Sequence, residues 1–219
     1  MKKLIVIEGL DGSGKSTQLE MLKKKLPDAH FITFPYYETH SGQIISTYLS
    51  GGYPEEDPRV SAYSASVMYA VDRYTSYSSH WCRLYNSGKP VISARYVSSN
   101  AVYQMTKLPK EEWEDYLKWL CDLEYNKLAM PRPDLTLFLD VPTAVSQKLL
   151  TERYGGDESK KDIHERDVEF LMKCREAAHF TAARFGWDII ECTDRGKLRT
   201  PEDINETLMN RIENMIKQG

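Results

Sequence analysis

Five short runs of apolar, largely β-branched or aromatic residues punctuate the chain. They are Leu4-Ile5-Val6-Ile7, His30-Phe31-Ile32-Thr33-Phe34, Pro90-Val91-Ile92-Ser93-Ala94, Leu135-Thr136-Leu137-Phe138-Leu139-Asp140 and Trp187-Asp188-Ile189-Ile190-Glu191. The first contains no polar residue, as a strand buried on both faces of a parallel sheet requires. Between these runs the pattern changes to helical. Thr17-Gln18-Leu19-Glu20-Met21-Leu22 begins a helix that Pro27 breaks, and a short helix is stopped by Gly51-Gly52. From Arg59 to Tyr85 there is neither Gly nor Pro, which permits a helix of many turns until Gly88-Lys89-Pro90 ends it. Lys110 to about Leu128 sets Trp113, Leu117, Leu120 and Cys121 at i, i+4, i+7 and i+8. A further helix runs to about Phe185, and Thr200-Pro201-Glu202-Asp203 opens a terminal one with an N-cap residue and a proline at the first helical position. Five strands separated by helices predict a three-layer α/β fold, a five-stranded parallel sheet covered on both faces, in one domain over residues 1–219.

Where the first strand meets the first helix lies Gly9-Leu10-Asp11-Gly12-Ser13-Gly14-Lys15-Ser16-Thr17, which fits G-x-x-x-x-G-K-[ST]. Glycines let successive N–H groups point into one concavity, and the helix N-terminus adds partial positive charge, an arrangement suited to a nucleotide's phosphates. Lys15 would reach the β- and γ-phosphates, and the Ser16 hydroxyl would ligate Mg²⁺. A glycine-rich turn that merely precedes a helix is the alternative. The coincidence of motif, strand and helix argues against it.

Composition narrows the partners. Lys+Arg 29 against Asp+Glu 32 gives a net charge of −3, so no overall basic field favours nucleic acid. No apolar run approaches membrane-spanning length and no leader is evident, so a cytoplasmic protein is expected. The four cysteines lack C-x-x-C spacing and read as reduced thiols.

A phosphate loop alone does not separate kinase, GTPase switch and motor, so a second substrate is sought elsewhere. Tyr69, Asp72 and Arg73 share one helix face, where a ring can stack on a planar base and a guanidinium can bind its edge; a core tyrosine beside a surface arginine has the same spacing. Arg95 ends the third strand, where open α/β sheets bind ligands, although an arginine there can equally be a structural ion pair. Ser99, Asn100 and Tyr103 offer polar groups nearby. Arg153, Lys160, Lys161 and Arg166 form a basic stretch hinged at Gly155-Gly156; it is either a flap that closes over polyphosphate and excludes water or a solvated charged face.

Taken together these residues resemble the thymidylate kinases of the nucleoside monophosphate kinase group. The likeness rests on Ile7 to Gln18, Phe34-Pro35, Tyr69 to Arg73, Arg95-Tyr96-x-x-Ser99-Asn100-x-x-Tyr103-Gln104 and Arg132-Pro133-Asp134-Leu135-Thr136-Leu137-Phe138-Leu139-Asp140. The resemblance implies a P-loop fold with a flexible lid at about residues 152–166. It implies phosphorylation of dTMP to dTDP by MgATP, and a homodimer with the long helix at its interface. By the same resemblance Gly9 to Thr17 bind ATP and Ser16 holds Mg²⁺. Lys15, Arg95, Arg153, Lys160, Lys161 and Arg166 supply catalytic cations, and Glu165 is a lid acid. Asp11, Phe34, Pro35, Tyr37, Tyr69, Arg73, Arg95, Ser99, Asn100, Tyr103 and Gln104 bind dTMP. Tyr69 would stack on thymine, Arg73 bind its edge, Asn100 add a polar contact, Tyr103 crowd the 2′ position and Asp11 sit by the 3′-hydroxyl.

Two departures stand out. The family normally has Asp before the arginine at 95, and here the residue is Ala94, which leaves Ser16, water and nucleotide phosphates to coordinate the metal, with Glu8 in an outer shell. The loop after Pro35 often offers an arginine to the acceptor phosphate, and here Tyr36 and Tyr37 stand there. Three rivals follow: a kinase for another acceptor such as dUMP, a weakened or regulatory relative, and a GTPase-type switch. The last lacks its N-K-x-D motif, the nearest string being Asn126-Lys127-Leu128-Ala129.

Overall fold

The computed structural model describes residues 2–53, 58–157 and 167–217. Five strands, β1 (Leu4–Gly9), β2 (His30–Thr33), β3 (Val91–Ala94), β4 (Leu135–Asp140) and β5 (Asp188–Glu191), form one sheet in the order β2-β3-β1-β4-β5. Every pairing is parallel, with Ile7 of β1 opposite both Ala94 and Leu137. All six positions of β1 are buried, which accounts for its lack of polar residues before Glu8.

Successive side chains of a strand point to opposite faces, so β1 feeds two cores. Leu4 and Val6 pack with Trp81, Tyr96, Trp113 and Tyr116 on one side. Ile5 and Ile7 meet Leu19 and Leu22 of α1 (Lys15–Lys25) and Ile204, Leu208 and Ile212 of α9 (Pro201–Lys217) on the other. Each such buried aliphatic side chain contributes about 1.5–3 kcal/mol. That double clamp fixes the end of β1, and the phosphate loop leaves from it.

The expected helices form, with refinements. A short α2 (His40–Leu49) precedes Gly51-Gly52. The long Gly- and Pro-free stretch is helical over 58–86: α3 (Pro58–Ser76), a π-helical turn (Tyr77–Trp81) and α4 (Cys82–Asn86). The wider turn carries Trp81, fully buried, into the core. α5 (Val97–Tyr103) follows β3, and α6 (Trp113–Cys121) continues into a second π-helical turn, Asp122–Lys127. Trp113, Leu117 and Leu120 are buried as the spacing predicts, whereas Cys121 at the edge of the stripe is partly exposed.

A helix and a hairpin are additional to the elements the sequence predicts. α7 (Thr143–Arg153) occupies the segment leading into the charged stretch, and β6 (Thr193–Asp194) pairs with β7 (Lys197–Leu198) as a small hairpin between β5 and α9. α8 (Val168–Phe185) ends where expected. Of the basic stretch, Arg153 is described; Lys160, Lys161, Glu165 and Arg166 lie outside the described residues. All four cysteines are free thiols, as read. Among the described residues no helix is long and apolar enough to cross a membrane.

Candidate active site

The loop between β1 and α1 curls as the motif requires. Gly12 has φ +75°, and a Cβ on it would lie 2.5 Å from the Ser146 carbonyl oxygen and 2.9 Å from Leu150 Cγ, so only glycine lets the loop lie against α7. Lys15 folds over the loop, donating to the carbonyls of Gly9 and Leu10 at 2.7 Å each and to Ser13 Oγ at 3.4 Å. Burial, reinforced by the Arg95 guanidinium, lowers the Lys15 pKa to about 7. The cavity beside the loop is lined by Asp11 to Thr17 together with Ala94, Arg95, Leu149, Arg153 and Tyr154. The final turn of α7 thus delivers Arg153 to the phosphate side. Gly9 and Leu10 do not line this cavity; they hold Lys15 from beneath.

A second cavity opens beside the first at the C-terminal ends of β1 and β3. Its walls are Asp11, Pro35, Tyr37, Leu49, Tyr69, Arg95, Ser99, Asn100, Tyr103 and Gln104. Nine of those ten residues were expected to bind the acceptor. Leu49, the last residue of α2, was not, because nothing but the three-dimensional packing brings an ordinary apolar helix terminus to the site. Phe34 lies in the adjoining phosphate cavity.

Arg95 is the hinge between the two. It adopts a left-handed backbone, φ 63°, rare for a residue with a side chain and here fixed by its N–H donating to the Ile7 carbonyl at 3.1 Å. Its guanidinium pairs with Asp11, lies over the Tyr103 ring at 5.0 Å and stands 3.8 Å from Glu8. Tyr103 donates its hydroxyl to the other Asp11 oxygen at 2.9 Å, and burial pushes the phenol well above its ordinary pKa, keeping that proton in place. Asp11 therefore does not place a bare negative charge among the phosphates; it orients the arginine and the tyrosine. Tyr69 is likewise held neutral by burial, a flat uncharged surface for a base. Gln104 is 2% exposed, and its Oε1 has no hydrogen-bond partner among the described residues. A buried acceptor of that kind normally has one.

Three of the expected residues have their polar groups engaged within the protein, and one of them, Arg73, lies outside the acceptor cavity. Glu8 is fully buried and engaged on both oxygens: it accepts from Gly9 N–H at 3.0 Å and from the hydroxyls of Ser98 and Ser99 at 2.7 Å each. It ties the root of the phosphate loop to the start of α5. Arg73 is 1% exposed, donates to Glu124 (Nε–Oε1 3.1 Å) and to the Tyr96 carbonyl at 3.3 Å, and does not line the acceptor cavity. Its partner Glu124, in the second π-helical turn, was not singled out from sequence. Asn100 turns its amide to the Ser66 carbonyl at 3.1 Å while remaining in the cavity wall. Ala94 lines the phosphate cavity, so position 94 offers no carboxylate there, and among the described residues no cluster of three His, Cys, Asp or Glu stands ready to hold a metal.

A phosphate loop and a neighbouring base-sized pocket that share Asp11, Pro35, Tyr37 and Arg95 define an enzyme of the nucleoside monophosphate kinase class built on the P-loop fold. The family model described as thymidylate kinase matches residues 7–199. A probable thymidylate kinase of Pyrobaculum aerophilum is 30% identical over 213 residues, covering 97% of each chain. The thymidylate kinase of Mycobacterium tuberculosis is 32% identical over 196 residues, 84% of this chain and 87% of that one. Among solved structures, thymidylate kinase from Candida albicans superposes with a TM-score of 0.72 at 25% identity, covering 97% of this chain and 91% of its own. The chain belongs to the thymidylate kinase family. Its members use ATP as phosphoryl donor.

Proposed function

We propose that the enzyme transfers the γ-phosphoryl group of ATP to the 5′-phosphate of dTMP, giving dTDP and ADP. The supporting observation is the shared wall: a donor loop for polyphosphate and an acceptor pocket meet at Arg95 and Asp11, so the acceptor's phosphate and the donor's terminal phosphate converge on one guanidinium. A hydrolase would need no second pocket. The acceptor phosphate is already a competent nucleophile, and catalysis consists of alignment and charge neutralisation.

In this reading Lys15 moves from the loop carbonyls to the β- and γ-phosphates, Arg95 holds the acceptor phosphate and Arg153 approaches from α7. Tyr69 stacks on thymine, and Gln104 Oε1 accepts from the base's ring N–H, a donor that suits a buried oxygen with no partner among the described residues. The remaining lid cations, Lys160, Lys161 and Arg166, join on closure. Mg²⁺ fits the donor set: Ser16 lines the phosphate cavity, and this ion commonly keeps several waters and takes most other ligands from phosphates, so a carboxylate at 94 is dispensable. When bound it screens the charge of the transferring phosphates. Glu8, held on both oxygens by Gly9, Ser98 and Ser99, serves the loop's geometry from an outer shell.

The same reading includes a homodimer and a cytoplasmic location. Val67, Val71 and Tyr74 of α3, at i, i+4 and i+7, are 42%, 43% and 44% exposed, an apolar stripe that a second copy would cover. Light scattering coupled to gel filtration would report twice the chain mass, and Val71→Glu would restore the single mass.

The test is a coupled ADP-release assay with MgATP and dTMP, dUMP, dCMP, dGMP or thymidine over a Mg²⁺ titration. Turnover is expected with dTMP foremost; the panel is warranted because the Candida enzyme is described by its broad substrate specificity. Binding of dTMP with no ADP release above background would overturn the reading.

A further inference from the structure

Asp72 is 1% exposed and has no role in the machinery above, yet its carboxylate is engaged on both oxygens behind the acceptor pocket. Its Oδ2 accepts the Tyr36 backbone N–H at 2.9 Å; its Oδ1 accepts the Ser41 hydroxyl at 2.8 Å, and Thr39 Oγ1, 2.9 Å from Ser41 Oγ, lies beside it at 3.4 Å. Thr39 in turn donates to the Tyr36 carbonyl at 2.8 Å and accepts from Gly42 N–H at 3.1 Å, so it caps α2. The start of α2 also presses directly on this loop: a Cβ on Gly42 would lie 2.0 Å from the Tyr36 carbonyl oxygen. One carboxylate on α3 thereby joins three things that the chain keeps more than thirty residues away, the loop at Tyr36, the cap of α2 and α2's first turn.

Two pocket walls depend on that junction. Tyr69, one turn before Asp72 on α3, lines one side; Tyr37, the residue after the anchored Tyr36, lines another. Their phenols are close enough for Tyr37 to be felt in the electrostatics of Tyr69. We infer that Asp72 is a positioning residue for the acceptor, setting the gap between Tyr37 and Tyr69 by clamping the Tyr36 backbone to α3. The clamp matters more in this chain than one with a loop arginine, because a neutral Tyr37 can reach a phosphate only by a hydrogen bond, whose strength falls steeply with misplacement.

This inference rests on the assignment of the second cavity to dTMP, and the experiment separates the two. Steady-state constants for ATP and dTMP are measured for Asp72→Ala, Asp72→Asn, Tyr37→Phe, the double variant Asp72→Ala/Tyr37→Phe and Tyr69→Ala, each checked for folding by its thermal transition. Asp72→Ala is expected to raise KM for dTMP by about tenfold with KM for ATP unchanged. Asp72→Asn, which keeps one acceptor oxygen and the same shape, should recover part of the loss. In the Tyr37→Phe background Asp72→Ala should cost markedly less than in the parent, since the clamp acts through Tyr37. Equal losses in both backgrounds, or KM for ATP and dTMP rising together, would overturn the positioning role. If Tyr69→Ala also leaves KM for dTMP unchanged, the assignment of the pocket itself fails; if Tyr69→Ala raises it while Asp72→Ala does not, only the inference about Asp72 falls.

Discussion

The phosphate loop and the acceptor pocket touch at Asp11 and Arg95, but they are assembled in opposite ways. The loop is nine consecutive residues, Gly9 to Thr17, whose backbone is shaped by local glycines and by the end of one buried strand. The pocket gathers ten side chains from residues 11 to 104, borne on the loop after β1, the loop after β2, α2, α3, the end of β3 and α5 with its continuation. Nothing local holds that set together. It depends on buried polar contacts across long sequence separations: Asp72 to Tyr36, Arg73 to Glu124, Glu8 to Ser98 and Ser99, and Tyr103 to Asp11. Backbone geometry tolerates most side-chain changes around it; a pocket of this kind fails when one distant partner is lost.

The largest effect expected is on the loop, at its one irreplaceable side chain. Lys15→Met should lower kcat by about 10²–10³, the range seen when one preorganised donor to developing charge is removed. Because the loop's backbone is left intact, the thermal transition should hold or rise: Lys15 is a half-buried amine whose ordinary protonation its desolvation disfavours. A fall in kcat accompanied by unfolding would show that Lys15 also holds the loop closed through Gly9 and Leu10.

On the pocket side, Glu124→Gln is expected to act first on stability. It leaves the buried Arg73 charge without its counterion, a loss of about 3–5 kcal/mol where such pairs are broken. Chemical denaturation measures it. Gln104→Leu should do the reverse. The substitution removes a buried oxygen without a partner among the described residues, so stability is unchanged or higher, while kcat/KM for dTMP falls by about tenfold or more. Were Gln104→Leu to lose stability and keep activity, Gln104 would belong to the scaffold and the pocket would read its base by other means.

The same contrast explains what could be read from sequence. The strands were legible because a parallel sheet buried on both faces needs continuous apolar runs, and the phosphate loop because its geometry is written in nine adjacent residues. Most of the pocket was legible only through family likeness: the spacing of Tyr69 and Arg73 suits a base site and a structural pair equally, and the fold puts Tyr69 in the cavity wall and Arg73 behind it. Glu124 was passed over because a reading of 110–128 by its apolar stripe attends to Trp113, Leu117 and Leu120 and treats acids as solvent-facing. Its partner is fifty-one residues away. α7 escaped notice because only Thr143, Ser146 and Leu150 of its residues are buried, too weak a stripe to signal a helix.

The smallest effect sharpens the comparison most, because it isolates the donor side by its protons. With its pKa lowered to about 7 by burial and by Arg95, Lys15 is mostly neutral at pH 8 in the nucleotide-free enzyme. Phosphate oxygens beside it favour the ammonium form, so ATP binding at pH 8 should take up close to one proton, and ATP affinity should weaken as pH rises above 7, by at most about tenfold per unit. Below pH 7 Lys15 is charged with or without nucleotide, and this dependence vanishes. The linkage to folding runs in the opposite direction. Between about 7 and the ordinary lysine value of 10.5 the unfolded chain binds the proton that the folded one has released, so the stability of the nucleotide-free enzyme gains from Lys15 as pH rises through that window. Calorimetry of ATP binding in two buffers of different ionisation enthalpy gives the proton count, and Lys15→Met should abolish it. The acceptor serves as the control: Tyr69 and Tyr103 are held neutral by burial at every working pH, so dTMP binding should show no proton uptake from these groups. An uptake with ATP that survives in Lys15→Met would move its source to another group of the phosphate cavity and remove the proton-linked role from Lys15.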